Sequence, residues 1–557
     1  MRLPVLLLGS AVLLSACTSK EAPRASAGPD GGTLVIDVPG DAGSLFPPLA
    51  SEEVGRMITD QLFDRLAEID SSLDVIGDKG FAPRLAKSWV WAPDSMSIAF
   101  SIDPNARWHD GKPVTASDVR YTFHAFTDPK LSSPSMTLLS NIDSVSIRDS
   151  LTPVFWFKKH TPTEFYDVAY QLVIVPEHVY GAVPFDKLAT SDIVRHPVGT
   201  GRFRLVRWDA GSRIELIADT ANYRGRAKVD RVIYTPASPA TEMTQVLSGA
   251  ADFMEAFPSD QTAKLDSSAV ARPVVTPLLA YTYMAMNLRD PSAKNRPHPI
   301  FSDLRVRRAL SMAVDRVGML HNVFGNSGSL GHGPFPATLP FADTTLAVPP
   351  YDTAAASALL DSAGWRRPAP GVVRQKNGRP LRFTLLVPSS SLSRRRYAVL
   401  IQEQLRRIGV QVDIDELDPQ TLNPRMVNGN FDAVLNLFGT DPAVGGTEQA
   451  WATSGIGPMG QNHSHYSNPV VDALLDSASA AFDPAKSNAY ARRAFATIIA
   501  DAPAIWLYDW TNVNAINRRI TTAHMRPDEW WANLADWSIP ADKRIARDRI
   551  GLAPAAP

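Results

Sequence analysis

The sequence contains little cysteine and almost no excess charge of either sign. A single cysteine among 557 residues excludes a disulfide framework and a zinc site built from cysteines. Lysine and arginine number 56 and aspartate and glutamate 57, which gives a formal net charge of -1. Because binding to nucleic acid generally needs a basic field, nucleic acid is not an expected partner. Beyond the N-terminus, no run reaches the roughly 18 consecutive apolar residues typical of a transmembrane helix.

The chain does contain enough apolar residues for more than one core. Hydrophobic residues make up 45% of the sequence and charged residues 20%, which argues against general disorder. The length exceeds the roughly 250–300 residues at which a single core stops growing. We therefore expect two or more lobes.

The N-terminus is typical of an exported protein. Arg2 supplies a positive charge, residues 3–14 carry none, and Leu14-Ser15-Ala16-Cys17 follows. The uncharged run is too short to span a bilayer but suits a signal peptide. The residues before Cys17 resemble the bacterial lipobox, in which the cysteine is lipidated and becomes the new N-terminus. We predict a signal peptide at 1–16 and a lipidated Cys17 with a flexible tether at 17–30; the alternative is an ordinary signal peptide with an incidental cysteine.

Hydrophobic spacing predicts several elements of structure. Residues 202–217 are expected to form a hairpin with its turn at 209–211. Residues 302–320 are expected to form one long helix that begins at Ser302. Residues 382–438 follow the order strand, helix, strand, strand, which indicates a mostly parallel sheet.

Four short segments occur in an order that is specific in combination. They are PRLAKSW (83–89) with WHDGKPVTASDV (108–119), PVGTGRF (197–203), MNL (286–288) with FSDLRVRRAL (301–310), and YSNP (466–469). Together they resemble the large peptide- and oligopeptide-binding family, family 5, of the extracytoplasmic solute-binding proteins of ABC transporters. Each segment also suits a local turn or helix cap, so we interpret them mainly as markers of the fold.

The resemblance implies an α/β, bilobal, periplasmic-binding-protein-like fold of the class II type. It would have mixed sheets, a hinge between the lobes near residues 285 and 505, and an extra subdomain. The implied parts are lobe I (31–66, 195–285 and 505–540), the extra subdomain (67–194), lobe II (286–504) and a C-terminal tail (541–557).

Asp441 is the first candidate for ligand contact. Residues 431–441 resemble the family segment that ends in an aspartate paired with a peptide's free α-amino group. The segment departs from the family in two ways: Pro442-Ala443-Val444-Gly445-Gly446 follows the aspartate, and Phe438 replaces a common tryptophan. Asp441 could instead cap its own loop or serve another solute.

Aromatic residues near the predicted hinge form a second candidate set. Tyr281 and Tyr283 lie beside the first crossing between lobes. Strand alternation would place Trp506, Tyr508 and Trp510 on one face beside the return crossing. Phe46 is a further candidate for the cleft. Such residues could stack on a solute, or they could form an aromatic core beneath the hinge.

No motif in the chain indicates catalysis, a cofactor or a metal. His463 and His465 lack a third ligand at a recognised spacing. The dinucleotide-binding fingerprint, the phosphate-binding loop and the nucleophile elbow are absent from the sequence. We therefore expect no enzyme activity; a glycosidase would need a pair of carboxylates facing each other across the cleft.

The sequence thus predicts a monomeric, lipid-anchored solute-binding protein that captures peptides and passes them to an ABC permease and its ATPase. Two alternatives stay open. The same fold could bind an oligosaccharide, a nickel chelate, haem or an opine. The protein could also be an extracytoplasmic sensor or chaperone.

Overall fold

A mixed sheet of eleven strands organises the part of the chain that the computed structural model describes, residues 30–458 and 460–552. The predicted signal peptide, Cys17 and nearly all of the predicted tether lie outside the described residues, as do the last five residues of the predicted tail. Within the described residues, no helix combines the length and the apolar character needed to cross a bilayer.

The strands are β1 (Thr33–Val38), β2 (Ala67–Ile69), β3 (Phe81–Pro83), β4 (Ala86–Trp91), β5 (Ser97–Ile102), β6 (Ile142–Asp149), β7 (Thr152–Phe157), β8 (Phe203–Asp209), β9 (Arg213–Ala218), β10 (Arg231–Pro236), β11 (Phe253–Met254), β12 (Ala271–Met286), β13 (Arg289–Asp290), β14 (Ala293–Pro297), β15 (Ser329–Leu330), β16 (Gln375–Lys376), β17 (Arg379–Pro380), β18 (Arg382–Pro388), β19 (Gln411–Leu417), β20 (Ala433–Gly439) and β21 (Ala504–Asn517).

The α-helices are α1 (Glu53–Leu62), α2 (Ala116–Thr127), α3 (Glu164–Ala169), α4 (Glu177–Tyr180), α5 (Phe185–Leu188), α6 (Pro239–Ser248), α7 (Thr262–Asp266), α8 (Leu304–Met312), α9 (Arg316–Phe324), α10 (Thr353–Ser362), α11 (Leu392–Arg407), α12 (Pro419–Val427), α13 (Gly445–Trp451), α14 (Pro469–Ser479) and α15 (Pro484–Asp501). Short 3-10 helices lie at Pro47–Leu49, Met136–Leu139, Asp192–Arg195, Ser259–Gln261, Gly325–Ser327, Thr453–Gly455, Leu534–Asp536, Ala541–Lys543 and Ala546–Arg549.

The main sheet has two halves joined by two long strands. Its strand order is β19-β18-β20-β12-β21-β11-β1-β10-β9-β8, and β15 pairs with β21 outside this path. The end of β12 pairs with β20 in one half, whereas the end of β21 pairs with β11 in the other half. Because β12 and β21 also pair with each other, the backbone is continuous through both halves. A separate four-stranded sheet, in the order β4-β5-β7-β6, lies within the chain segment between α1 and β8.

Two of the predicted elements form as expected. The hairpin is confirmed, since β8 and β9 pair antiparallel up to Asp209 opposite Arg213. The parallel sheet is also confirmed, because β18 pairs parallel with both β19 and β20. Each confirmed element is held by contacts between segments that lie close together along the chain.

The single long helix predicted at 302–320 is wrong. The chain forms α8 and α9 instead, and Asp303 rather than Ser302 caps the first by accepting the Arg305 N–H at 3.0 Å. Asp315 interrupts the predicted helix, because its carboxylate accepts the Gly318 N–H at 2.9 Å and starts α9. Val317, expected on the buried face, is 64% exposed.

The segment at 197–203, which contains two glycines, packs against the end of α1. Gly201 donates its N–H to the Leu62 carbonyl at 2.8 Å. A Cβ atom on Gly199 would lie 1.7 Å from the same oxygen, so only glycine fits there. His109 completes the contact: its Nδ1 accepts the Gly199 N–H at 3.1 Å and its Nε2 donates to the Gly201 carbonyl at 2.9 Å. Two of the family-like segments therefore bind each other.

Candidate functional site

Three adjoining cavities form a groove between the two halves of the main sheet. The central cavity, about 440 Å³, is bordered by α1, α3, the 278–280 segment of β12 and the 440–442 loop after β20. The acidic cavity, about 370 Å³, lies next to it and shares Glu53, Leu278, Asp528 and Trp531. The Tyr508 cavity, about 400 Å³, shares Ala256 and Asn512 with the acidic cavity.

Asp441 lies on the wall of the central cavity, immediately beyond β20. One carboxylate oxygen accepts the Ala443 N–H at 2.9 Å. The side chain is exposed to the cavity and forms no ion pair with a described residue. The surrounding walls desolvate the carboxyl and raise its pKa, against the opposing effect of the Ala443 N–H. An ammonium group placed here would meet a carboxylate without a counter-ion.

The helix α3 faces the charge of Asp441 across the central cavity. Burial, the charge of Asp441 and the charge of Glu164 together raise the pKa of Asp167 to about 7. Asp441 also raises the pKa of Tyr166, after the larger effect of burial. Both effects show that negative charge accumulates at this point of the groove.

The positive charges on the central cavity include one that is already paired. Arg65 lies 3.0 Å from an oxygen of Asp60 and 3.4 Å from an oxygen of Glu529. Its guanidinium also stacks over the Tyr170 ring, 4.4 Å from the ring centroid. Asp60 and Glu529 therefore neutralise Arg65, whereas Arg56, the other arginine that lines the cavity, is exposed.

The acidic cavity contains carboxylates without any lysine or arginine among its lining residues. Asp37, Glu53, Glu242, Glu255 and Asp528 line it. Burial is the largest cause that raises the pKa of Asp37 to about 7 and that of Glu255 to about 7, and it also raises the pKa of Glu242. The acidic cavity therefore favours solutes that carry positive charge, whereas arginines line the other two cavities.

Four of the predicted aromatic contacts lie in a buried cluster rather than on these three cavities. The cluster consists of Tyr281, Tyr283, Phe438, Trp451 and Trp506, all less than 9% exposed. Trp451 donates its indole N–H to the Tyr281 hydroxyl at 2.8 Å, and Asn436 donates to the Tyr283 hydroxyl at 3.0 Å. The contacts are those of an aromatic core at the junction of β12, β20, β21 and α13.

The predicted common face of Trp506, Tyr508 and Trp510 is wrong. Tyr508 opposes Thr282 and Trp506 opposes Tyr283, so Leu507 is an extra residue that forms a bulge in β21. The bulge turns Trp506 toward the buried aromatic cluster, whereas Tyr508 and Trp510 lie on the other face and line the Tyr508 cavity. A bulge shifts the two-residue alternation by one, which the sequence did not reveal.

Phe46 and the histidine pair lie away from the three cavities. Phe46 is fully buried, with its ring centroid 4.6 Å from that of Tyr180. His463 is 7% exposed, and burial and the charge of His465 lower its pKa to about 4. Among the described residues, no group of three or more histidine, cysteine, aspartate or glutamate side chains is arranged to hold a metal ion.

Sequence reasoning missed the carboxylates of the acidic cavity. Asp37 is in β1, Glu242 in α6, and Glu255 follows β11, so no local motif joins them. The only signal in the sequence is the position of Glu255 directly after a strand, where a side chain often reaches a sheet edge. The sheet order brings them together, because β11 is the neighbour of β1.

Comparison with known proteins identifies the fold and the family. A family model described as "Bacterial extracellular solute-binding proteins, family 5 Middle" matches residues 80–457. Protein XP55 of Streptomyces lividans is 30% identical over 507 residues, which cover 90% of this chain and 88% of that protein. The oligopeptide-binding protein AppA of Bacillus subtilis is 26% identical over 540 residues, 95% of this chain and 96% of AppA.

Two solved structures illustrate the similarity of fold. The structure of Bacillus subtilis AppA in complex with a nonapeptide matches with a TM-score of 0.69 at 23% identity, covering 93% of this chain and 99% of that one. NikZ from Campylobacter jejuni in complex with Ni(L-His) matches with a TM-score of 0.70 at 21% identity, covering 91% and 99%. The predicted bilobal α/β fold with several sheets is confirmed; the exact domain boundaries, hinge positions and ligand contacts stay predictions.

Proposed function

Because the chain belongs to family 5 of the bacterial extracellular solute-binding proteins, we propose that it binds peptides in the groove and delivers them, as a monomer, to an ABC permease. Two lobes that close on a solute form a switch, provided that the solute binds the closed state better than the open state. The family is a substrate-binding component of transport, and the protein acts by reversible binding without chemistry.

The observation that carries this proposal is the unpaired carboxylate of Asp441 on the central cavity. A peptide's α-ammonium group carries one positive charge and three N–H donors. A charge-assisted hydrogen bond from such a group to a carboxylate contributes about 1.5–3 kcal/mol. The paired state of Arg65 and the raised pKa of Asp167 also favour a cation over an anion at this end of the groove.

The amine-anchor role of Asp441 can be tested with Asp441→Asn. The substitution keeps the side-chain shape but removes the charge, so we expect affinity for free-amine peptides to fall by tenfold or more, on the order of the energy of a charge-assisted bond. Affinity for N-acetylated versions of the same peptides should change little. Isothermal titration calorimetry on the soluble chain measures both.

Asp94→Asn is the matched control. Asp94 accepts the Met96 N–H at 3.0 Å, the same contact that Asp441 makes with Ala443, but does not line any of the three cavities. The Asp94→Asn variant should bind both the free-amine and the N-acetylated peptides as tightly as the parent does. If both peptide forms bind Asp441→Asn as tightly as they bind the parent protein, the amine-anchor role is wrong.

Membrane tethering through Cys17 is the second part of the proposal. The lipobox-like residues before Cys17 support it, although they lie outside the described residues. Cys17→Ser should remove the acyl mass from the mature protein and release it from the membrane fraction. Intact mass spectrometry of detergent-extracted protein measures this, and an acyl mass that persists on the variant would disprove the anchor.

A metal chelate is the second candidate solute. The similarity of fold to NikZ, which was solved with Ni(L-His), favours it. Native mass spectrometry of protein purified without unfolding separates the candidates. A spread of masses that sequence as peptides supports peptide transport, and a single non-peptide mass with a metal isotope pattern supports the chelate.

A further inference from the structure

The acidic cavity is lined by a buried carboxylate, one oxygen of which has no hydrogen-bond partner among the described residues. Glu242 lies in the first turn of α6, after the capping residue Ser238. It is 5% exposed, and its Oε1 atom accepts no hydrogen bond from a described residue. A buried polar atom without a partner is rare in folded proteins, because it has lost water without a replacement. Such an atom at the wall of a cavity indicates an occupant that donates to it.

The other carboxylates around Glu242 accept hydrogen bonds from neutral side chains. Asp37 is 2% exposed and accepts both N–H groups of the Gln245 amide at 2.9 Å. The charge of Arg547, which does not line the cavity, lowers the pKa of Asp37 against the larger effect of burial. Glu255 accepts the Trp530 indole N–H at 2.8 Å and the Asn512 amide at 2.9 Å. Arg547 acts on Asp37 from outside the cavity, and the donors to Asp37 and Glu255 are neutral, so the lining itself contributes no positive charge.

The remaining walls of the acidic cavity are apolar and aromatic. Met57, Met254, Trp530 and Trp531 line it beside the carboxylates. Methylene groups pack favourably on such walls, and indole faces attract cations. A solute that combines an aliphatic stem with a positively charged end matches both parts of the lining.

We propose that the acidic cavity receives a lysine or arginine side chain of the bound peptide, with the cationic end against Glu242. This inference rests on the proposed peptide-binding function and makes the protein selective for basic peptides. The shared residues Glu53, Leu278, Asp528 and Trp531 make the cavity continuous with the central cavity. A peptide anchored at Asp441 can therefore extend a side chain into it.

The test compares alanine pentapeptides in which one internal residue at a time is replaced by lysine or by norleucine. Norleucine has the same number of carbon atoms along its chain but no charge. At one of these positions, the lysine peptide should bind the parent protein about tenfold more tightly than the norleucine peptide does. Glu242→Gln should reduce that ratio severalfold, because it removes one carboxylate of the cavity while Asp37 and Glu255 stay in place.

Two further readouts separate this role from a structural one. Binding of a cation at Asp37 and Glu255, whose pKa values are about 7, should release protons. The affinity for the lysine peptide should therefore rise more between pH 6 and pH 8 than that for the norleucine peptide, and Glu242→Gln should weaken this difference. Glu403→Gln, which removes a surface carboxylate of α11, is the control and should change nothing.

The outcomes also distinguish this inference from the proposed function. Peptides that bind without any preference for lysine would overturn the inference and leave peptide transport intact. Cadaverine, a small diamine, tests whether the cavity binds a free cation instead of a peptide side chain. If cadaverine binds through Glu242 while no peptide binds, both the inference and the proposed peptide-binding function are wrong. A lysine preference that is as large in Glu242→Gln as in the parent protein would also overturn the inference.

Discussion

Buried side chains of this protein differ according to whether their polar atoms have partners. The Tyr281 hydroxyl and the Trp451 indole satisfy each other at 2.8 Å inside the buried aromatic cluster. Glu242, which is 5% exposed, has one oxygen without a partner among the described residues and lines a cavity. Saturated partners are typical of a residue that stabilises the fold, whereas an unsatisfied one indicates a ligand.

Tyr281→Phe tests the first half of this distinction. Loss of the hydroxyl leaves the buried Trp451 N–H without an acceptor, so the free energy of unfolding should fall by about 1–3 kcal/mol. The affinity of the folded variant for peptides should not change. Urea unfolding followed by tryptophan fluorescence measures the first quantity and calorimetry the second.

Tyr351→Phe is the matched control, because Tyr351 is 51% exposed. Its stability should equal that of the parent. A loss of peptide affinity in Tyr281→Phe without a loss of stability would instead support Tyr281 as a ligand contact.

Elements of structure were predictable where contacts are local. The β8–β9 hairpin follows from turn residues and alternation, and the parallel pairing of β18 follows from the order of strand and helix. The break between α8 and α9 was not predicted, because the apolar spacing continues past Asp315. There the Asp315 carboxylate caps α9, and the distant Gln404 accepts the Asp315 N–H at 2.7 Å. The bulge at Leu507 depends on pairing with the distant strand β12, so no pattern within β21 shows it.

For the whole molecule, the joining of two sheet halves gathers carboxylates into one groove. Burial is the largest cause that raises the pKa values of Asp37, Glu255 and Asp509, which line these cavities, to about 7. It also raises the pKa of Asp167 to about 7, in the helix α3 that borders the central cavity. They come from β1, α3, the segment after β11 and β21. Because these groups are desolvated, their ionisation costs more in the folded protein than in the unfolded chain, and a bound cation would lower that cost.

The unliganded protein should therefore be more stable at pH 6.5 than at pH 8.0. Over this range the carboxylates of the unfolded chain are fully ionised, whereas those with a folded pKa near 7 hold protons at pH 6.5 and lose them by pH 8.0. Stability thus falls as pH rises, by about 0.5–1 kcal/mol for each such group. Buried histidines such as His463, whose pKa is lowered to about 4, oppose part of this effect, because the unfolded chain binds protons at histidine as pH falls through 7; each costs about 0.4 kcal/mol at pH 6.5.

Differential scanning calorimetry of ligand-free protein at the two pH values measures this effect. The midpoint temperature should be higher at pH 6.5, and saturating lysine peptide should reduce the difference. An equal or higher midpoint at pH 8.0 would show that these carboxylates are ionised in the folded protein.

The sequence by itself determined the family, the bilobal α/β fold and Asp441 as a candidate, because ordered motifs and local periodicity are properties of contiguous residues. The tertiary structure decided which aromatic residues are core and which line a cavity, since a bulge of one residue reverses the face of every side chain beyond it. It also decided that Asp37, Glu242 and Glu255 share a cavity. These residues are far apart along the chain, and only the pairing of β1 with β11, with α6 beside them, brings their charges within reach of one another.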